Sequence, residues 1–128
     1  DPRLPLNYYR FQPWSSETEQ SDLGQLDIGV MPLTADLWSE GKCGFKLIQY
    51  YALGIPALAS PVGVNKTMIQ SGATGFLCET ASDWEGGLRQ LIVSVELRAK
   101  MGLEGHARMK ARYSLAAQQE PYLNLFCQ

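Results

Sequence analysis

Histidine is almost missing from this chain: His106 stands alone among 128 residues. The three cysteines, Cys43, Cys78 and Cys127, are far apart and odd in number, and no CxxC pair occurs. That pattern argues against a zinc site and against a disulfide framework. No metal is expected, and free thiols fit a reducing, cytoplasmic setting. No apolar run approaches the ~20 residues that span a bilayer, and the opening DPRLPLNYYR lacks the apolar core of a signal peptide. Basic residues are few as well: 11 Lys and Arg stand against 13 Asp and Glu, for a net charge of −2. With no basic block, no nucleic-acid partner is expected. The basic residues of LRAKMGLEGHARMKAR recur about once per helical turn, the pattern of a solvated face. The first residue is aspartate and not methionine, which we read as a trimmed or partial reading frame.

What is present is an ordinary globular composition, 45% hydrophobic and 19% charged, without repeats or low-complexity tracts. The segment 1–14 carries Pro2, Pro5 and Pro13 and reads as irregular, except for a β-prone piece at Tyr8–Phe11. Ser16-Glu17-Thr18-Glu19 has the form of a capping box opening a helix that Gly24 ends. Short apolar runs at Ile28–Met31, Ala57–Ser60 and Phe76–Cys78 read as buried strands. Between the first two lies a helix over Lys42–Leu53, with Phe45, Ile48 and Ala52 expected inward and Gly54 as its C′ residue. Asn65 is expected to cap a short helix to Ser71, and Gly72 and Gly75 to bracket a turn. A second capping box, Ser82-Asp83-Trp84-Glu85, opens the helical remainder. Ser94 and Ser114 cap two further helices, the first over Val95–Arg112, where Gly102 and Gly105 each cost ~1 kcal/mol relative to alanine. Pro121 is expected to kink the last helix. Strand–helix alternation over residues 28–78 implies parallel, helix-covered strands.

Gly41-Lys42-Cys43-Gly44 leads straight into a helix. Glycines let backbone N–H groups approach a ligand, and a helix N-terminus offers unpaired donors and partial positive charge, which suits a diphosphate. Open α/β sheets hold their ligands at the carboxyl ends of the strands, where this corner falls. The alternative is a purely structural strand–loop–helix corner. Trp38 admits two readings, a platform stacked on a nucleotide or sugar, or a lid over the core. Lys46 reads as a ligand contact or as a surface lysine, and Tyr50 and Tyr51 read as packing residues. Cys43 adjoins a helix N-terminus, but no histidine stands near to activate it, and His106 reads as a surface residue.

The run Lys46-Leu47-Ile48-Gln49-Tyr50-Tyr51-Ala52-Leu53-Gly54-Ile55-Pro56, followed by Ser60-Pro61-Val62-Gly63 and by Gly72 and Gly75-Phe76-Leu77, resembles the donor-binding segment of retaining group 1 (family 4) glycosyltransferases. Their signature helix begins in the style of "KLxEYMAxG". LRAKMG and ARYSL resemble their C-terminal helices. The resemblance implies an α/β fold: part of a Rossmann-like domain, the C-terminal half of a GT-B enzyme, with a short parallel sheet flanked by helices and a helical C-terminus. Residues 1–128 would form one incomplete nucleotide-sugar-binding domain. It also implies that Gly44 and Phe45 present amides to the donor diphosphate, beside Gly41 and Lys46. Gln49 stands where the family has a ribose-binding glutamate, and keeps an acceptor oxygen. The family's other acidic residue falls at Gly41, with Glu40 one residue off register and the one candidate catalytic group.

By the same resemblance the sheet order is 3-2-1-4-5-6, with Tyr8–Phe11 a remnant of strand three and strands one and two absent. Ile28–Met31 would then be an exposed edge, inviting dimerisation or cover by the N-terminal segment. Two functions follow. In one, the chain is the donor-binding part of a glycosyltransferase that uses a UDP- or GDP-type sugar as donor substrate and needs no cofactor. It would lack the N-terminal acceptor-binding domain, would be inactive alone, and would meet a membrane surface only through the parent enzyme, as in polysaccharide assembly. In the other it is a non-catalytic, self-associating or partner-binding relic.

Overall fold

A computed structural model describes residues 8–126. Three short strands, β1 (Gly29–Met31), β2 (Ala57–Ala59) and β3 (Gly75–Leu77), form a parallel sheet in the order β1-β2-β3. The helices are α1 (Glu19–Leu23), α2 (Leu37–Glu40), α3 (Phe45–Ala52), α4 (Asn65–Met68), α5 (Ala81–Val93), α6 (Val95–Arg112) and α7 (Leu115–Asn124). The central strand is apolar throughout because both its faces are covered. Ala57 and Ala59 point into a cluster with Leu47, Tyr50, Tyr51 and Met68, while Leu58 points the other way onto Cys78, Leu91 and Met101. Helix α6 serves both clusters, with Leu97 and Met101 against the second and Met109 and Tyr113 against the first.

The crossing of α6 over α3 explains two glycines inside a long helix. A Cβ on Gly102 would lie 1.9 Å from the Gly54 carbonyl oxygen, and one on Gly105 would lie 2.5 Å from the Tyr51 ring. Both glycines are buried. The intrinsic helix cost assigned to them is therefore offset by the closeness they allow.

Several expectations need correction. Tyr8–Phe11 is not a strand: Tyr8 and Phe11 are each 79% exposed, and among the described residues no strand lies beside them to supply ladder bonds. The first capping box is absent. Helix α1 starts only at Glu19 with Thr18 as its N-cap, and Ser15 Oγ accepts from the Glu17 N–H instead. The second box sits two residues early, as Thr80 and Asp83, each side chain taking the other's backbone N–H. Asn65 does not cap α4. It is buried, and its amide donates to the Ser60 carbonyl at 3.1 Å. The inward face of α3 is Leu47, Tyr50 and Tyr51, whereas Phe45 and Ala52 are exposed. Helix α3 begins at Phe45 and not Lys42, because Gly44 takes a left-handed turn (φ 68°). The extra turn α2 was not anticipated. Asp36 caps it, Oδ1 accepting from Ser39 N at 2.8 Å.

Main-chain bonds of Gly29 to Pro56 and of Ser60 to Met31 place the odd residues of β1 toward β2. Val30 therefore turns its N–H and C=O to the outer edge, where no described strand pairs with it. Its carbonyl accepts from the Tyr50 hydroxyl at 3.2 Å. The described part of the N-terminal segment lies along α1 instead, as where Gln12 reaches Asp22.

Candidate functional site

The chain leaves β1 at the carboxyl end of the sheet, so the N-terminus of α3 returns to that same end. Its position there is set by contact with α4. A Cβ on Gly44 would lie 2.4 Å from Met68 Sδ and 2.9 Å from Val64 Cγ2, so only glycine fits. Leu47 and Ile48 donate to the Gly44 carbonyl at 2.9 and 3.2 Å. The N–H groups of Cys43, Gly44, Phe45 and Lys46 have no acceptor among the described residues, leaving a cluster of donors at a helix N-terminus. Phe45 is 58% exposed beside them.

The candidate carboxylate Glu40 ends α2 and reaches across to the corner after β2. Its Oε2 accepts from Gly63 N at 2.9 Å, and its Oε1 lies 3.8 Å from Lys66 Nζ. Gly63 is left-handed (φ 52°), and a Cβ there would stand 2.8 Å from the Glu40 carbonyl oxygen. Glu40 is thus fixed at the carboxyl end of the sheet, on the α4 side of the Gly44 turn. Gly41, by contrast, is an ordinary C-cap of α2 (φ −80°) and is exposed. Trp38 is 82% exposed, which removes the reading of it as a lid over the core.

Lys46 and Gln49, three residues apart on α3, face α1. Lys46 Nζ lies 3.8 Å from Glu19 Oε1. The Gln49 amide, the Trp14 indole and the Lys46 ammonium together hold the Glu19 carboxyl below the usual carboxylate range, the Gln49 bond contributing most. Gln49 Oε1 is shut in without a hydrogen-bond partner. A groove of about 200 Å³ lies alongside, lined by Glu19, Gln20, Leu23, Gln49, Ala52 and Leu53. The expected residues therefore fall into two groups: Glu40 with Gly44 against α4, and Lys46 with Gln49 against α1. Sequence reasoning read Glu19 only as part of a capping box, and nothing local signals its approach to Gln49, thirty residues further on.

His106 is exposed, as expected of a surface residue, and lies against the end of α3. Its Nδ1 lies 3.1 Å from the Ala52 carbonyl and 3.3 Å from that of Tyr51, at the C-terminus of α3. Among the described residues, no three His, Cys, Asp or Glu side chains gather to hold a metal ion, and no helix is long and apolar enough to cross a membrane.

The fold matches GT-B glycosyltransferases of known structure. A point mutant of TarM from S. aureus, solved with fondaparinux, alpha-GlcNAc-glycerol and UDP, superposes with a TM-score of 0.70 at 22% identity, over 88% of this chain and 22% of that one. Sucrose-phosphate synthase from Thermosynechococcus elongatus gives a TM-score of 0.59 at 20% identity, over 78% of this chain and 25% of that one. The chain thus spans a quarter or less of these larger proteins. No curated protein sequence matches it. The sequence pattern of the glycosyl transferases of group 1 matches residues 6–94, more than half of the chain. With the parallel sheet and its helices, that match places the chain in the group 1 glycosyl transferase family.

Proposed function

We propose that the chain is the donor-binding part of a glycosyltransferase that moves a sugar from a nucleotide diphosphate, of UDP or GDP type, to a hydroxyl acceptor. The observation that carries this reading is the set of unpartnered N–H groups from Cys43 to Lys46 at the carboxyl end of a parallel sheet. In this reading the amides of Gly44 and Phe45 hold the diphosphate, Gly41 leaves the approach open, and Lys46 adds a positive charge. Loss of the sugar builds negative charge on that diphosphate, and fixed donors stabilise it without reorganising. Glu40 stands at the sugar end of the corner, and the α3 face bearing Gln49 takes the nucleoside. No metal or cofactor takes part. The acceptor-binding domain belongs to the rest of the enzyme, so this chain binds donor in the cytoplasm and does not turn over by itself. Any contact with a membrane surface, as in polysaccharide assembly, comes through the parent enzyme.

Calorimetric titration with UDP, GDP and their sugars at fixed salt tests the reading. Saturable binding that is stronger than that of the bare nucleoside is expected, since the phosphates are what the amides hold. An absence of heat up to millimolar nucleotide would refute it.

A second reading, association through β1, rests on the outer edge of that strand, where Val30 is 44% exposed. Either the remainder of the enzyme or a second copy of the chain would supply the added strand. Sedimentation separates the two: a concentration-dependent dimer supports self-association, and a strict monomer removes it.

A further inference from the structure

Helix α4 has four residues, too few to hold themselves helical, and its N-cap is Val64, whose side chain cannot cap it. It nevertheless makes three contacts that shape the candidate site. Met68 and Val64 form the wall against which the Gly44 turn closes, leaving no room there for a Cβ. Lys66 lies 3.8 Å from Glu40, and Gly63, at the entry to α4, donates to the same carboxylate. Something outside α4 must therefore fix it in place.

Two grips do so. At its start the buried Asn65 amide donates to the Ser60 carbonyl. At its end the grip comes from α6, forty residues beyond Met68. Arg108 Nε donates to the Met68 carbonyl at 3.1 Å, and Nη2 donates to that of Thr67 at 2.6 Å. A helix C-terminus leaves such carbonyls without helical partners and carries partial negative charge, so a guanidinium fork matches it in geometry and sign. Thr74 continues the grip: its hydroxyl oxygen accepts from Gln70 N at 3.1 Å and meets the Tyr51 hydroxyl at 2.9 Å. Met68 is the link to the site, because Arg108 holds its carbonyl while its sulfur packs on Gly44.

We propose that Arg108 is a positioning residue for the donor diphosphate. It acts through α4, keeping Met68 and Val64 against the Gly44 turn so that the N–H groups from Cys43 to Lys46 hold their arrangement. The assignment rests on the nucleotide-binding reading above and names what keeps that site in shape. Without the fork, two carbonyls of α4 lose their partner, its last turn loosens and Met68 withdraws. Gly44 has no side chain of its own to hold the left-handed turn.

A second arginine of α6 supplies the control. Arg98 donates to the carbonyls of Leu91 at 2.7 Å and Ile92 at 3.3 Å, near the C-terminus of α5, and lies against Asp27 ahead of β1, away from the carboxyl end of the sheet. Melts by circular dichroism should show Arg108→Met and Arg98→Met both folded and both less stable than the parent. Calorimetry on the full chain, with whichever of UDP and GDP the parent binds, should read about ten-fold weaker binding in Arg108→Met. That is the loss expected of one hydrogen bond to a charged group. Arg98→Met should bind as the parent does. In ligand-free protein, the amide resonances of residues 43–46 should move in Arg108→Met and stay in place in Arg98→Met. If Arg108→Met does not fold, Arg108→Gln, which keeps one amide donor and loses the charge, should weaken binding by a smaller factor. A folded Arg108 variant with parental affinity overturns the assignment and leaves the nucleotide reading intact. Equal losses in the Arg108 and Arg98 variants also overturn it, as a general effect of lowered stability. Parent protein that binds neither UDP nor GDP overturns the nucleotide reading and the assignment with it.

Discussion

Replacing Gly102 with alanine should destabilise this protein, although alanine is the better helix former by ~1 kcal/mol. The added Cβ would stand 1.9 Å from the Gly54 carbonyl oxygen and 2.8 Å from its carbon. Both are main-chain atoms at the end of α3, so no rotamer change relieves the overlap. Restoring the 3.4 Å of ordinary contact requires α6 to retreat by about 1.5 Å. A gap of that size forfeits much of the dispersion along the α3–α6 seam, where Gly105 lies against the Tyr51 ring. Overpacking in a close interface costs ~1–3 kcal/mol, with larger values where backbone must shift. After the helix gain, a net loss of about 2 kcal/mol is expected, or a fall in melting temperature of roughly 6–12 °C for a domain of this size. Gly86→Ala in α5 supplies the contrast, because nothing lies within 4 Å of its Cβ position. That variant should melt at or slightly above the parent temperature. Thermal melts by circular dichroism on the three proteins decide the matter. A Gly102→Ala protein as stable as the parent would show that α6 does not press on α3 as closely as described.

Two further predictions concern stability. Burial pushes the Tyr51 phenol up to about 12, the Thr74 hydroxyl at 2.9 Å only partly opposing it. The neutral form is thus favoured by folding, so that contribution is complete below pH 10 and is lost as pH rises from about 10 to about 12. Denaturant melts across that window should weaken for the parent and weaken less for Tyr51→Phe; parallel curves would contradict the assignment. Thr80→Ala removes the side chain that accepts from Asp83 N at 3.2 Å, and should cost about 1 kcal/mol in urea unfolding. An unchanged midpoint would mean that the Asp83 carboxylate alone, which accepts from Glu79 N and Thr80 N, is sufficient to start α5.

The strands, the long helices and the glycine corners were legible because each has a local cause. The apolar run of β2, the Ser94 cap and the left-handed Gly54 are fixed by a few neighbouring residues. The errors arose where a distant partner decides. Capping-box patterns at residues 16–19 and 82–85 were outcompeted by geometry set at Ser15 and Thr80. Asn65 was drawn inside by the Ser60 carbonyl, and Arg108, which resembles any solvated arginine, donates to the last carbonyls of α4 at Thr67 and Met68. At the candidate site the glycine turn and the donors of α3 were readable in line. The approach of Glu19 to Gln49 was not, since it depends on how α1 packs against α3. Nor was Gly63 as the partner of Glu40, since it depends on how the corner after β2 folds.

The Tyr50 hydroxyl on the Val30 carbonyl has a consequence for how this protein lives in a crowded solution. A bare strand edge is an open invitation to any extended peptide. Here the Val30 carbonyl already takes one hydrogen bond from a phenol, and Pro32, just beyond the strand, has no N–H to give. A stray chain arriving at β1 therefore finds a ladder cut short by Pro32 and a carbonyl it must share with a phenol. Only a partner with further contact beyond that short edge would stay. The edge is guarded against casual company while remaining open to a committed neighbour.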